Sequence, residues 1–148
     1  TFTDDHPATK KAKEVFRPHY RLYAAAFVDV VFDHFLATDT NHFTPQTLHH
    51  FSHETYRQLD AYEMVFPDRF ARMYPYMKSQ NWLHNYQFRW GIEKSLGGVV
   101  RRSAYLTESD TAFRLFEEHY EHLQECYAQL FPELFTYTQQ QATLLLEA

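Results

Sequence analysis

The run from Tyr23 to Ala37, Tyr-Ala-Ala-Ala-Phe-Val-Asp-Val-Val-Phe-Asp-His-Phe-Leu-Ala, constrains this chain most. Nearly every position is apolar, so a helix here is hydrophobic most of the way round and belongs in a core. The same run carries Asp29, Asp33 and His34. A carboxylate buried without a partner is very costly, and it persists where it is paired or binds a metal. Asp29 and Asp33 are four apart and share one helix face, with His34 the next residue round. Two carboxylates and an imidazole on a core helix suit a metal or catalytic site. The same residues also suit a structural role. Asp29 can face solvent, Asp33 can pair with Arg or Lys, and His34 can be a hydrogen-bonded core histidine.

The rest of the chain reads as helices around this one. A length of 148 residues fits one domain with a sizeable core. Only 3 Gly and 6 Pro favour long helices with few tight turns, and 18% aromatic residues predict an aromatic core. Thr3-Asp4-Asp5-His6-Pro7 signals a helix start. This helix should run to about Phe16, with Lys10, Lys11 and Lys13 on a solvated face, and break at Arg17-Pro18. The central helix follows from about His19 to Thr38. Thr44-Pro45 opens a third helix to about Glu63, with Leu48, Phe51, Tyr56 and Leu59 as its stripe. His49 and His53 have a spacing that metals can use, but no Glu of a His-Glu-x-x-His motif accompanies them, so a surface role is expected.

Phe66-Pro67-Asp68 opens a fourth helix to about Lys78, bent or shortened at Pro75. Asn81 should cap a fifth, from Trp82 past Tyr86 and Trp90 to about Leu96, ended or kinked by Gly97-Gly98. Thr107 to Asp110 should cap the last long helix, whose stripe is Phe113, Phe116, Tyr120, Leu123, Tyr127 and Leu130. Pro132 should interrupt it before a final helix. No strand pattern or repeat is present, which predicts an all-α, single-domain helical bundle over residues 1–148.

Several function classes fall away on composition. A net charge of -5 argues against a general nucleic-acid binder. A single cysteine, Cys126, rules out an internal disulfide framework and a cysteine-based zinc site, and it suits a reducing cytoplasm. No signal peptide or membrane-spanning apolar run is evident. Charge is uneven, however. From Arg69 to Arg102 the basic residues are Arg69, Arg72, Lys78, Arg89, Lys94, Arg101 and Arg102, with Glu93 the lone acid. After Ser103, acidic residues dominate. The basic segment can steer an acidic partner or hold phosphate, or it can pack against the acidic one.

Thr3-Asp4, Asp29-Val-Val-Phe-Asp33-His34-Phe35-Leu36, Trp82-Leu83-x-x-Tyr86, and Ile92 to Gly98 with Arg101-Arg102 together resemble the acyl carrier protein phosphodiesterase family. The likeness runs to about Ser103, and its most specific block is Asp-x-x-x-Asp-His-Phe-Leu. The resemblance implies an HD-domain-like helical fold, in a branch that carries Asp33-His34 in the order opposite to the superfamily's His-Asp. It also implies a metal-dependent hydrolase, with Mn2+ or another divalent ion as cofactor. Such an enzyme would cleave the phosphodiester that joins 4'-phosphopantetheine to a serine of holo acyl carrier protein, a small acidic partner.

On that resemblance Asp33 and His34 are the catalytic and metal-ligating pair, with Asp29 and Asp4 as further ligands or ligand-orienting groups. Arg101 and Arg102 would contact phosphate, and Trp82 and Tyr86 would be substrate platform or core. Family members carry histidine- and aspartate-bearing motifs before the Phe-Thr-Asp stretch, so an N-terminally shortened chain is expected here. The alternatives are a related metal phosphohydrolase acting on another phosphodiester or a nucleotide, and a non-enzymatic helical interaction module.

Overall fold

Helices form wherever the chain offers an apolar face at helical spacing. The computed structural model describes residues 1–103, 106 and 108–148. Its helices are α1 (Phe2–Asp5), α2 (Pro7–Tyr20), α3 (Ala24–Ala37), α4 (Pro45–Asp60), α5 (Asp68–Ser79), α6 (Trp82–Asn85), α7 (Arg89–Arg102), α8 (Ser109–Glu118) and α9 (Tyr120–Glu147). Short 3-10 turns cover Arg21–Tyr23 and Glu63–Val65. No strand occurs among the described residues, so the fold is all-α. No helix among them is long and apolar enough to cross a membrane.

The chain divides into two compact units, residues 1–32 with 96–148, and residues 33–95. In the first, Ala8, Ala12, Phe16 and Tyr20 make a buried stripe at intervals of four along α2. α2 packs on α9, whose buried residues are Leu123, Cys126, Tyr127 and Leu130, and also on α8. Phe16 stacks on Phe27 with ring centroids 5.6 Å apart. Phe16, Phe27 and Phe116 are fully buried, and each such side chain contributes about 1.5–3 kcal/mol relative to exposure. In the second unit, α4 and α5 both pack on the single turn α6. Its core holds Phe35, Leu48, Ser52, Tyr56, Tyr74 and Ile92.

Several boundaries differ from the sequence expectation. The Arg17-Pro18 break does not occur, because α2 runs through Pro18 to Tyr20. The chain turns instead at Arg21, at φ 48°, so the central helix begins at Ala24 rather than His19. Pro75 does not shorten α5, and Pro132 does not interrupt α9. A proline inside a helix frees the carbonyl one turn earlier. Here those carbonyls belong to the exposed residues Glu14, Ala71 and Ala128, at the solvent side of their helices, where a freed carbonyl can turn to water.

The caps also differ. Thr1 caps α1 by accepting the Asp4 N–H, and His6 caps α2 by accepting the Ala8 N–H on Nδ1 at 3.0 Å. The other ring nitrogen of His6 meets Glu133 of α9. Thr44 caps α4 as expected, and Thr47 completes the capping box. The buried stripe of α4 is Leu48, Ser52 and Tyr56, whereas Phe51 is 46% exposed and Leu59 half-buried.

The expected fifth helix is two elements, α6 and α7, separated after Asn85. Asn81 stands at the start of α6 with φ 52° and makes no side-chain cap bond. Gly91 lets the first turn of α7 lie against α6, since a Cβ there would sit 2.0 Å from the Asn85 carbonyl oxygen. Gly97 and Gly98 do not end the helix, which continues to Arg102. The last break falls at His119, between α8 and α9, rather than at Pro132. The expected cap at Thr107 lies outside the described residues.

Candidate functional site

One residue of α3 carries most of the chemistry in residues 33–95. His34 is 2% exposed. Its Nδ1 lies 2.6 Å from the backbone oxygen of Tyr86. A carbonyl only accepts, so Nδ1 bears the proton and Nε2 is the lone-pair nitrogen of the neutral ring. Burial lowers the His34 pKa, the Tyr86 hydrogen bond opposes this, and the positive charge of Arg89 adds to the lowering. A neutral imidazole anchored through one nitrogen on a carbonyl is the form in which histidine ligates metals or accepts protons.

Both aspartates of α3 depart from the expected burial. Asp29 and Asp33 are exposed. One helical step turns a side chain by about 100°, so Asp33 faces outward while His34, the next residue, is inside. The four-residue spacing that puts Asp29 and Asp33 on one face thus puts both on the solvent-facing strip of α3.

Asp29 nevertheless has company. Its pKa is raised, first because the surrounding protein withdraws it from water, then because of the Asp4 carboxylate; Lys13 opposes both. Lys13 Nζ lies 3.9 Å from Asp4 Oδ1. α1, α2 and α3 therefore bring two carboxylates and one ammonium together from Asp4, Lys13 and Asp29. The Lys13 side chain is only 17% exposed, so it is no part of a simple solvated face. Asp4 sits in the first turn of α1, where its charge favours the helix start.

Arg101 and Arg102 are exposed on the last turn of α7. Their guanidinium groups lie back along the helix: a Cβ on Gly97 would be 3.2 Å from Arg101 Nη1, and one on Gly98 would be 2.9 Å from Arg102 Nη1. Trp82 and Tyr86 are half-buried at the two ends of α6. Trp82 Nε1–H donates to Gln80 Oε1 at 2.9 Å. Tyr86 offers His34 its main-chain carbonyl.

Sequence reasoning missed His84. His49 and His53 are exposed on α4 with ring centroids 4.4 Å apart, and the His84 ring of α6 stands 5.4 Å from His49. Burial lowers the His84 pKa, followed by its two histidine neighbours. The spacing of His49 and His53 was readable, but nothing local announced the third ring.

The fit of these residues to a divalent metal is partial. His34 has the right tautomer, and a cation would relieve the crowding of Asp4 and Asp29. Among the described residues, however, no group of three or more His, Cys, Asp or Glu is placed to hold a metal ion.

The profile of one family, described as Acyl carrier protein phosphodiesterase, matches residues 1–134. The chain belongs to the acyl carrier protein phosphodiesterase family. The match passes well beyond Ser103 and into α9. Acyl carrier protein phosphodiesterases from Photorhabdus laumondii and an Enterobacter species are 29% and 31% identical to the chain over 131 and 136 residues. These stretches cover 88% and 89% of the chain but 66% and 69% of the relatives. The acyl carrier protein phosphodiesterase of Yersinia pestis is 29% identical over 138 residues, 93% of the chain and 72% of that relative. The chain thus spans about two thirds of the length of the curated relatives it matches. No solved structure matches it.

Proposed function

We propose that this protein is a metal-dependent hydrolase that releases 4'-phosphopantetheine from the serine of holo acyl carrier protein. Family membership carries the proposal: the matched profile and the curated relatives are named for this activity. The carrier protein is accordingly the proposed partner, and Mn2+ or another divalent ion the proposed cofactor. An HD-domain-like arrangement is part of the same proposal.

The family resemblance names Asp33 and His34, with Asp29 and Asp4, as the proposed ligands, although the described residues gather no three such groups around one point. What a divalent cation supplies when bound is polarisation of the phosphoryl oxygens and a water acidic enough to attack near neutral pH. The chain's own residues do the rest. His34, neutral and fixed through Nδ1, presents Nε2 as ligand or proton acceptor. Arg101 and Arg102 offer planar, permanently charged groups suited to phosphate oxygens. Trp82 and Tyr86 would border the pantetheine arm. The support for His34 is its tautomer and burial. The support for the arginines is their exposure.

Incubation of the protein with holo acyl carrier protein and Mn2+ tests this. The expected result is conversion of the carrier to its apo form with free phosphopantetheine, abolished by a chelator and by Asp33→Ala. A carrier that stays in the holo form under these conditions overturns the proposal.

A further inference from the structure

We propose that Tyr56 is a positioning residue for His34, acting through the single turn α6. One helical turn does not persist in isolation, because its nucleation cost exceeds what its few bonds return. Its first N–H groups also need partners from outside. The residue in the capping position, Asn81, supplies none. The Leu83 N–H donates instead to the hydroxyl of Tyr56, 3.0 Å away on α4. Tyr56 is 6% exposed, and its hydroxyl donates in turn to the Met77 carbonyl of α5 at 3.4 Å. Its own carbonyl accepts the Tyr74 hydroxyl at 3.0 Å. A phenol from another helix therefore caps α6.

The far end of the same turn is Tyr86, whose carbonyl takes the Nδ1 proton of His34. The turn is thus held at one end by the Tyr56 hydroxyl and at the other by the His34 ring. Where the first bond places the turn, the Tyr86 oxygen follows. That oxygen decides which nitrogen of His34 carries the proton. The catalytic consequence rests on the hydrolase proposal, whereas the tautomer consequence does not.

Tyr56→Phe keeps the ring in the core and removes only the hydroxyl. Nitrogen-15 NMR of histidine-labelled protein reads the His34 tautomer directly. The expected result is a single Nδ1–H form in the unaltered protein and a mixture of tautomers in Tyr56→Phe. The variant should also lose roughly tenfold in kcat for carrier-protein hydrolysis with KM little changed, the size that loss of about one hydrogen bond gives. Tyr74→Phe, which removes a hydroxyl from the same cluster but not the α6 cap, should keep the single tautomer.

An unchanged His34 tautomer in Tyr56→Phe overturns the proposal, whatever the assay shows. An altered tautomer with no hydrolysis by either protein upholds the positioning role and overturns the hydrolase. If Tyr56→Phe does not fold, the unaltered protein decides: its Leu83 amide must be protected from hydrogen exchange and its His34 must be in the Nδ1–H form. Failure of either overturns the proposal.

Discussion

The backbone oxygen of Tyr86 accepts the Nδ1 proton of His34 across 2.6 Å, which fixes the tautomer of an imidazole whose burial disfavours its charged form. Acid therefore opposes the fold. His34 and His84 both have folded pKa values below the ordinary histidine value. Between about pH 6.5 and those lower values the unfolded chain binds more protons, so stability rises with pH in that window. Urea unfolding at a series of pH values should show it. His34→Gln should reduce the slope, and His34 should titrate below pH 6.5 by NMR.

Asp29 has the opposite sign. Its folded pKa lies above the ordinary carboxylate value, so the folded state holds the extra proton. Its contribution is present at low pH and fades as pH rises through the folded value. Asp4→Asn should lower the Asp29 pKa, and Lys13→Met should raise it further. Carbon-13 titration of the Asp29 carboxyl checks both shifts, and movement in the reverse direction would contradict the Asp4–Lys13–Asp29 cluster.

Gly91 and Gly97 should respond oppositely to alanine. At Gly91 the new Cβ would lie 2.0 Å from backbone, the Asn85 carbonyl oxygen. A loss of about 1–3 kcal/mol follows, the usual cost of overpacking. At Gly97 the neighbour is the tip of the Arg101 side chain at 3.2 Å, which can swing away. Gly97→Ala should then gain about 0.5–1 kcal/mol from helix propensity. Guanidinium unfolding of the two variants reads the contrast.

Phe16→Ala should cost about 3–5 kcal/mol, as deletion of a fully buried ring does. The ring stacks on Phe27 and lies in the stripe by which α2 packs on other helices. Thermal unfolding should register the loss as a marked fall in Tm.

The helical character of the chain was legible because apolar residues recur at three and four. The Thr44-Pro45 start of α4 was legible because capping is a local code. The prolines misled for a physical reason: whether Pro18, Pro75 or Pro132 breaks a helix depends on whether water reaches the carbonyl it frees, and sequence does not show exposure. The burial of the Asp-His block was read too uniformly. The run around it is apolar, yet its two aspartates occupy the one strip that faces out. The partner of His34 lies far along the chain and is a main-chain carbonyl, so no pattern of side chains could announce it. Tyr56 looked like one member of an aromatic stripe, and its hydroxyl gained meaning only when α6 was seen to lack a cap of its own.

Gly97 and Gly98 leave bare peptide one turn before Arg101 and Arg102, and both guanidiniums rest there. The reach of each arginine is therefore written in its neighbour rather than in itself. Any bulk at those two places would prop the cationic arms outward, altering where positive charge is displayed while every charged residue stays the same.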